Sequence, residues 1–297
     1  MTAHDRRNFI GESTNPPAVT WPGGAPVAVS IVVNVEEGAE LSVGDGDARN
    51  ETVHEINEDI GLVPDLCMES HFGYGPRAGF PRLLALFAKH GVRASFSACG
   101  RSVARSPWMA RMAVEAGHEV SCHSYLWERH AGMAEDQERA IIAKTHAAIT
   151  EAAGVAPVGW HTRSSSTPNT RRLLVEHGGF LYDSDAYDDD MPYYVPVAGR
   201  PHLVMPYAFD TNDMRFSPGG GFIHGEDFAR YTIAAYDWLE REGETMPRMM
   251  SIGLHLRFIG RPGRIGGLDA ILDHITRRGA FIAPRMEIAR HWIEATR

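Results

Sequence analysis

Hydrophobic and polar positions follow one another along the chain in blocks typical of alternating strands and helices. Residues 27–35 are apolar and mostly β-branched, which is typical of a strand buried on both faces. Residues 78–90 instead place apolar side chains at helical spacing, and Gly91 marks the end of this predicted helix. The first regular element predicted is therefore a buried strand, which is followed, after a polar segment, by a helix.

The same alternation continues to the C-terminus. Further strands are predicted at 94–98, 119–122, 157–160, 180–184, 202–206, 249–254 and 280–283, and further helices at 107–116, 134–153, 168–177, 226–242, 266–278 and 284–295. Strands that alternate with helices form a parallel sheet with right-handed crossovers. We therefore predict an α/β fold, with a closed or nearly closed barrel as the best fit to the length and an open doubly wound sheet as the alternative.

Two segments fall outside this pattern. Residues 1–24 are polar and rich in proline and glycine, so we predict an N-terminal arm there and a single catalytic barrel domain over 25–297. Residues 39–76 are rich in glycine, aspartate and glutamate and predict a long irregular loop. A loop of this length inside a compact domain is usually functional.

Charge and composition exclude several classes of protein. The 29 Lys and Arg against 38 Asp and Glu give a net charge of −9, which argues against nucleic acid as a partner. No apolar stretch is long enough to span a membrane, and the polar N-terminus does not resemble a secretory signal. The three cysteines cannot form a disulfide framework. We expect a cytoplasmic protein that acts on a small molecule and has neither nucleic-acid nor membrane partners.

Ionisable side chains recur directly after predicted strands. Glu36 and Glu37 follow the first strand, His123 follows the strand at 119–122, and His255 follows the strand at 249–254. In α/β barrels the chemistry lies at the carboxyl ends of the strands, so these four residues are the catalytic candidates. Adjacent carboxylates can raise one another's pKa and produce a base, and a histidine at a strand end can exchange protons with a substrate.

Four further residues are candidates for binding the substrate. Arg163 and Arg257 each lie just beyond a strand end, where a guanidinium can bind a carbonyl or carboxylate oxygen. The alternative for Arg257 is an ion pair with the acidic run at 188–190. Trp127 is expected to form an apolar wall, and Tyr187 to line the mouth of the barrel.

Several ordered blocks of the chain resemble the polysaccharide deacetylase superfamily, and most closely its branch of metal-independent, allantoinase-like bacterial enzymes. The matching stretches are 34–38, 75–80, 159–160, 168–173, 178–185, 207–216, 251–255 and 260–264. The resemblance covers nearly the whole chain. It implies a distorted (β/α)7 barrel of the NodB-like type, hydrolysis of carbon–nitrogen bonds, and a homo-oligomer such as a tetramer.

The departures from the classical members of this superfamily concern the metal. Those members carry two aspartates after the first strand, the first a base and the second a metal ligand, and a His-x-x-x-His pair. Here the corresponding residues are Glu36 and Glu37, and Trp127 stands four positions after His123. Catalytic zinc usually has three protein ligands, and Glu37 with His123 would supply two. The resemblance therefore implies no cofactor, with Zn²⁺ or another divalent cation on those two residues as the alternative.

These observations favour a hydrolase that cleaves the amide C–N bond of a small cyclic ureide or imide. Glu36 or Glu37 would activate water, and His255 would donate a proton or stabilise an oxyanion. The segment 161–166 differs from the allantoinase-like pattern, so allantoin, another ureide, an imide and an N-acyl sugar all stay open as substrates. The alternatives are a metal-dependent N-deacetylase of an amino sugar or polysaccharide and a barrel that only binds a ligand.

Overall fold

The structure is a computed structural model that describes residues 8–53, 55–163 and 165–297. Its strands are β1 (Val27–Val35), β2 (Ser95–Ala98), β3 (Glu119–Cys122), β4 (Gly159–Trp160), β5 (Tyr182–Asp183), β6 (Tyr193–Val197), β7 (Arg200–Val204), β8 (Arg248–His255) and β9 (Phe281–Ile282). Its α-helices are α1 (Leu66–Tyr74), α2 (Phe80–His90), α3 (Gly100–Arg105), α4 (Pro107–Glu115), α5 (Glu135–Ala153), α6 (Thr170–His177), α7 (Gly225–Gly243), α8 (Leu256–Ile259), α9 (Pro262–Arg277) and α10 (Arg285–Ala295). No helix in the described ranges is both long and apolar enough to cross a membrane.

The strands form one curled sheet in the order β6-β7-β5-β4-β3-β2-β1-β8, and β9 pairs with β1. All pairings are parallel except the β6–β7 hairpin. β1 pairs with β8 along almost its whole length, from Val27 opposite Arg248 to Asn34 opposite His255. This half-barrel with surrounding helices confirms the predicted distorted α/β barrel of the NodB-like type, and it brings the carboxyl ends of the strands to one edge.

β1 is buried along its full length because both of its faces are covered. Side chains alternate between the two faces of a strand. Val29, Ile31 and Val33 belong to the large apolar core that the surrounding helices share, whereas Ser30 and Asn34 point to the interior of the barrel. The outer face therefore supplies apolar burial, while the inner face carries polar side chains up to the strand end.

The predicted long loop, 39–76, is wrong from residue 66 onwards. Residues Leu66–Tyr74 form α1, and a single π-helical turn at Gly75–Gly79 joins α1 to α2. Asp65 caps α1, since its side chain accepts a hydrogen bond from the backbone N–H of Met68. The helix was hard to predict because its apolar residues do not share one face: Leu66 is exposed, whereas Met68 and Phe72 are buried.

Three other elements, β6, α3 and the single-turn helix α8, were not predicted. β6 contains Pro196, which usually argues against a strand but is tolerated in a strand at the edge of a sheet. The short helix α3 lies between β2 and α4 and spans less than two turns. In the described part of the predicted N-terminal arm, Val19 and Trp21 pack in the core of this same chain, with the Trp21 and Trp292 rings 5.7 Å apart.

Candidate active site

Three of the four catalytic candidates meet at the carboxyl ends of the strands. Glu36 follows β1, and its Oε1 lies 3.5 Å from His123 Nε2 and 3.4 Å from His255 Nε2. All three side chains are buried. The parallel sheet explains this meeting, because β1 lies between β2 and β8 and its end faces the ends of β3 and β8 across the curled sheet.

Asp213 orients His255 and was not predicted from the sequence. It begins a 3-10 turn, Asp213–Phe216, and its Oδ1 accepts a 2.6 Å hydrogen bond from His255 Nδ1. Its Oδ2 accepts the backbone N–H groups of His255 at 2.8 Å and Ile259 at 3.0 Å. With Nδ1 held in this way, Nε2 of His255 faces Glu36.

His123 is oriented by the strand beside it. Its Nδ1 donates a 3.0 Å hydrogen bond to the backbone carbonyl of His161, which directly follows β4. The two imidazole rings are stacked with their centroids 4.8 Å apart. Both contacts turn Nε2 of His123 towards Glu36, as happens at His255.

Arg257 places a fixed positive charge against both glutamates. It lies on α8, two residues beyond His255, and its Nη1 is 2.8 Å from Glu36 Oε2 and 3.5 Å from Glu37 Oε1. The guanidinium is buried between aromatic rings, 4.3 Å from the Phe72 centroid and 5.2 Å from the Trp127 centroid. Its Nη2 has no hydrogen-bond partner among the described residues.

Glu37 points away from the two histidines. Its Oε2 accepts the backbone N–H of Glu36 at 3.1 Å, and its Oε1 accepts the backbone N–H of Arg257 at 3.2 Å. A side chain at Gly75 would collide with this carboxylate, so the glycine lets the π-helical turn pack directly on Glu37. The adjacent glutamates therefore differ: Glu36 faces the imidazoles, and Glu37 holds Arg257 in place.

Opposing effects set the pKa of each glutamate. Burial raises the pKa of Glu36, but the charges of His255 and Arg257 and hydrogen bonds from the two histidines outweigh it, so this pKa lies well below its ordinary value. Burial also raises the pKa of Glu37, and Arg257 only partly offsets the effect. Glu36 is thus a carboxylate at neutral pH.

His255 is a protonated imidazole at neutral pH. Burial alone would lower its pKa, but the carboxylates of Glu36 and Asp213 more than compensate and raise the pKa to about 9. Neutral pH therefore favours a negatively charged Glu36 beside a positively charged His255. This is the arrangement of a base and an acid that act on one bound molecule.

The residues at this site do not fit a divalent cation. Both Glu37 oxygens already accept N–H groups, and His123 Nε2 faces Glu36 rather than Glu37. Trp127 packs on Phe72 and Arg257 and has no ligating atom at the position of the family's third ligand. Residues 8–53, 55–163 and 165–297 contain no group of three or more His, Cys, Asp or Glu side chains that could hold a metal ion.

The other predicted binding residues lie around this centre. Arg163 stacks on Trp127 at 3.5 Å and pairs with Glu51 at 2.8 Å, so its charge is already neutralised. Tyr187 is 36% exposed, and its hydroxyl lies 3.4 Å from His161 Nε2. Arg163 therefore supports the wall of the site, and Tyr187 lies at its rim.

The chain is similar to known proteins over almost its full length. Residues 64–182 match the family model described as polysaccharide deacetylase. A protein of Schizosaccharomyces pombe assigned as a polysaccharide deacetylase is 38% identical over 315 residues, which cover 97% of each chain.

Two crystal structures superpose closely on this one. A Pseudomonas aeruginosa PAO1 protein assigned as a polysaccharide deacetylase has a TM-score of 0.93 at 44% identity, over 98% of both chains. PuuE allantoinase also has a TM-score of 0.93, at 41% identity over 98% of both chains. The similarity therefore extends to the allantoinase-like branch. The chain belongs to the polysaccharide deacetylase family, whose members hydrolyse carbon–nitrogen bonds of amides.

Proposed function

We propose that this protein hydrolyses the amide C–N bond of a small cyclic ureide or imide without a metal ion. The observation that carries the proposal is the position of Glu36, whose carboxylate touches two imidazoles and a guanidinium in one buried site. Such a site supplies a base, an acid and a fixed positive charge within a few ångströms. The similarity to PuuE allantoinase supports the same class of substrate.

Glu36 acts first, as the base. Water adds to the substrate carbonyl carbon, and Glu36 takes one proton from that water as the new C–O bond forms. His123 lies against the same carboxylate oxygen and keeps the carboxylate directed into the site. The product of this step is a tetrahedral intermediate whose former carbonyl oxygen carries the negative charge.

His255 acts second, as the acid. Its protonated Nε2 delivers a proton to the leaving nitrogen as the C–N bond breaks, and the carbonyl re-forms as a carboxyl group. The proton held by Glu36 passes to His255, and the carboxyl proton passes to solvent, so the starting charges are restored. Asp213 stabilises the imidazolium that makes this donation possible.

Arg257 takes the electrostatic role that a metal ion has in other enzymes. Its Nη2 is a buried N–H donor without a partner among the described residues, and it can hold the oxygen that becomes negative. A guanidinium is a weaker electrophile than a dication. It therefore suits a ureide or imide, whose leaving nitrogen is less basic than that of an unactivated acetamide.

The second candidate is a metal-dependent N-deacetylase of an amino sugar or polysaccharide. The names of the Schizosaccharomyces pombe and Pseudomonas aeruginosa relatives favour it. The geometry of the site argues against this function, because Arg257 lies where the metal would be needed and Trp127 lies where its third ligand would be needed.

A substrate panel distinguishes the two functions. Purified protein is assayed at pH 7.5 with five-membered cyclic ureides, including allantoin and hydantoin, with succinimide, and with N-acetylglucosamine oligomers. We expect ring opening of at least one ureide or imide and no release of acetate from the oligomers. Acetate release without ring opening would reverse the assignment.

A further inference from the structure

A polar surface lies directly beneath Glu36 inside the barrel. Asn34 lies on β1, two residues before Glu36, so the alternation of the strand places both side chains on the same face, with their Cα atoms about 7 Å apart. Ser97 on β2 lies opposite Asn34 in the parallel register. We call Asn34, Ser97, His161 and Tyr207 the polar floor of the site, and all four side chains are buried.

Three atoms of the polar floor have no hydrogen-bond partner among the described residues. The Asn34 amide donates from Nδ2 to Tyr207 Oη at 3.0 Å and to the Leu254 carbonyl at 3.2 Å, which leaves its Oδ1 unpaired. Ser97 Oγ and His161 Nδ1 are unpaired in the same way. Buried polar atoms in proteins nearly always have partners, so three on one surface call for an explanation.

The hydroxyl of Tyr207 adds a donor to this surface. Its Oη accepts N–H groups from Asn34 and from Asn212, the latter at 3.2 Å. Burial raises the pKa of Tyr207, so the phenol keeps its proton and can donate it to a third group.

The polar floor is continuous with the catalytic centre. The His161 ring lies between its neighbours, with centroids 4.8 Å from His123 and 4.6 Å from Tyr207. Asn34 pairs in register with His255. The polar floor and the side chains around Glu36 therefore form one continuous polar surface.

The chemistry of these atoms defines what can rest there. Asn34 Oδ1 accepts an N–H group, Tyr207 donates to a carbonyl oxygen, and Ser97 and His161 can each do either. A ring that carries an N–H next to a second carbonyl satisfies them. The methyl group of an acetamide would instead leave them buried without partners, which is unfavourable.

We propose that the polar floor binds the non-reacting N–H and C=O edge of a cyclic ureide or imide and thereby selects this class of substrate over N-acetyl compounds. The inference rests on the proposed function and adds the residues that determine specificity. Sites built to hydrogen-bond a substrate group discriminate strongly against analogues that lack the group.

Ser97→Ala is the most direct test, because the Ser97 hydroxyl has no partner to lose within the described protein. The control is Thr232→Val. Thr232 also carries a buried unpaired hydroxyl, but it lies on α7 between Phe228 and Tyr236, facing the outer core. We measure kcat and KM for hydantoin and for succinimide, the inhibition constant of the simple amide N-methylacetamide, and the unfolding midpoint of each variant.

Ser97→Ala is expected to lower kcat/KM for the cyclic substrates about tenfold, the effect of one hydrogen bond, and to leave the inhibition constant of N-methylacetamide unchanged. Thr232→Val is expected to change neither kcat/KM nor this inhibition constant. Tyr207→Phe, if its unfolding midpoint shows a folded protein, should reproduce the loss on the cyclic substrates. An equal effect of Ser97→Ala on the binding of all three compounds, or none on any, would overturn the inference. A wild-type protein inactive on every ureide and imide would instead refute the proposed function.

Discussion

The two ends of the barrel interior both bury charged side chains, but they differ in how completely those side chains are bonded. At the end away from the candidate active site, which we call the bottom of the barrel, Arg285 is fully buried at the start of α10. It donates to Ser30 and Ser251 hydroxyls and to the carbonyls of Met205 and Pro206. Four of its five N–H groups are thus bonded, and only Nε lacks a partner among the described residues.

Glu119, at the same end, is equally well satisfied. Its carboxylate accepts from the hydroxyls of Ser95 at 2.6 Å and Tyr182 at 2.8 Å, and from the backbone N–H of Met286 at 2.9 Å. Burial, only partly offset by these hydrogen bonds, raises the pKa of Glu119. At the bottom of the barrel the protein itself therefore supplies nearly every hydrogen-bond partner that the buried charged groups need.

The mouth differs because several of its buried polar atoms have no partner. They are Asn34 Oδ1, Ser97 Oγ, His161 Nδ1 and Arg257 Nη2. Complete bonding stabilises a fold, whereas unpaired buried groups around a perturbed acid and base are typical of a site that binds a ligand. The comparison predicts that substitutions at the bottom of the barrel reduce stability and that substitutions at the mouth reduce activity.

The largest effect is expected at Glu36. Glu36→Gln removes the base but keeps the shape of the side chain, so kcat should fall about 10³-fold. The unfolding midpoint should change far less than in the Arg285→Met variant described next. Steady-state kinetics and chemical denaturation measure the two effects. Retention of more than a tenth of wild-type kcat would show that another group activates water.

At the bottom of the barrel, Arg285→Met should reduce the stability of the fold. It removes the donor of four buried hydrogen bonds, to two hydroxyls and two carbonyls, which should lower the free energy of unfolding by about 3 kcal/mol. The folded fraction should keep its kcat. Arg278→Met is the control, because Arg278 is exposed and pairs with Glu240 at the surface, and it should unfold like the wild type. A stable Arg285→Met protein with impaired kcat would remove the distinction between the two ends.

Asp213→Asn should shift the pH dependence of activity. The wild-type kcat/KM should fall as pH rises through about 9, where His255 loses the proton it must donate. Removing the Asp213 charge removes one cause of that raised pKa, so the alkaline limb should move about 1–3 pH units lower. An alkaline limb in the same place as in the wild type would mean that His255 is not the acid.

The smallest effect is expected from Trp127→His. It restores a ligating side chain four residues after His123, yet the guanidinium of Arg257 still lies against Glu36 and Glu37. Calorimetry should detect little Zn²⁺ binding in this variant and more after Arg257→Met is added. Trp108→His, on the distant helix α4, is the control. Tight Zn²⁺ binding by Trp127→His alone would show that Arg257 does not oppose a metal.

The sequence predicted the parts of the site that depend on position along a strand. Glu36, His123 and His255 meet because Glu36 and His123 directly follow strands of one parallel sheet and His255 is the last residue of another, and buried runs of apolar residues reveal such strands. The different roles of Glu36 and Glu37 were not predictable. They depend on which carboxylate the loop turns towards Arg257 and which towards the imidazoles.

Residues whose partners are distant in sequence were missed. Asp213 reaches His255 across 42 positions, and Asn34 reaches Tyr207 across 173. Both residues lie in stretches that resemble the family, which was the available signal, but the stretches alone do not indicate which atoms meet. α1 was missed because its buried residues Met68 and Phe72 are too few to give a clear helical period.

The most direct test of this account is the activity of metal-free enzyme. The protein is stripped by exhaustive chelation, its metal content is verified by mass spectrometry, and kcat/KM is measured on the best ureide of the panel with and without added Zn²⁺. With Glu36, His255 and Arg257 carrying the chemistry, stripped and zinc-treated enzyme should have the same kcat/KM. Activity that disappears on stripping and returns with Zn²⁺ would contradict the account and favour the metal-dependent deacetylase.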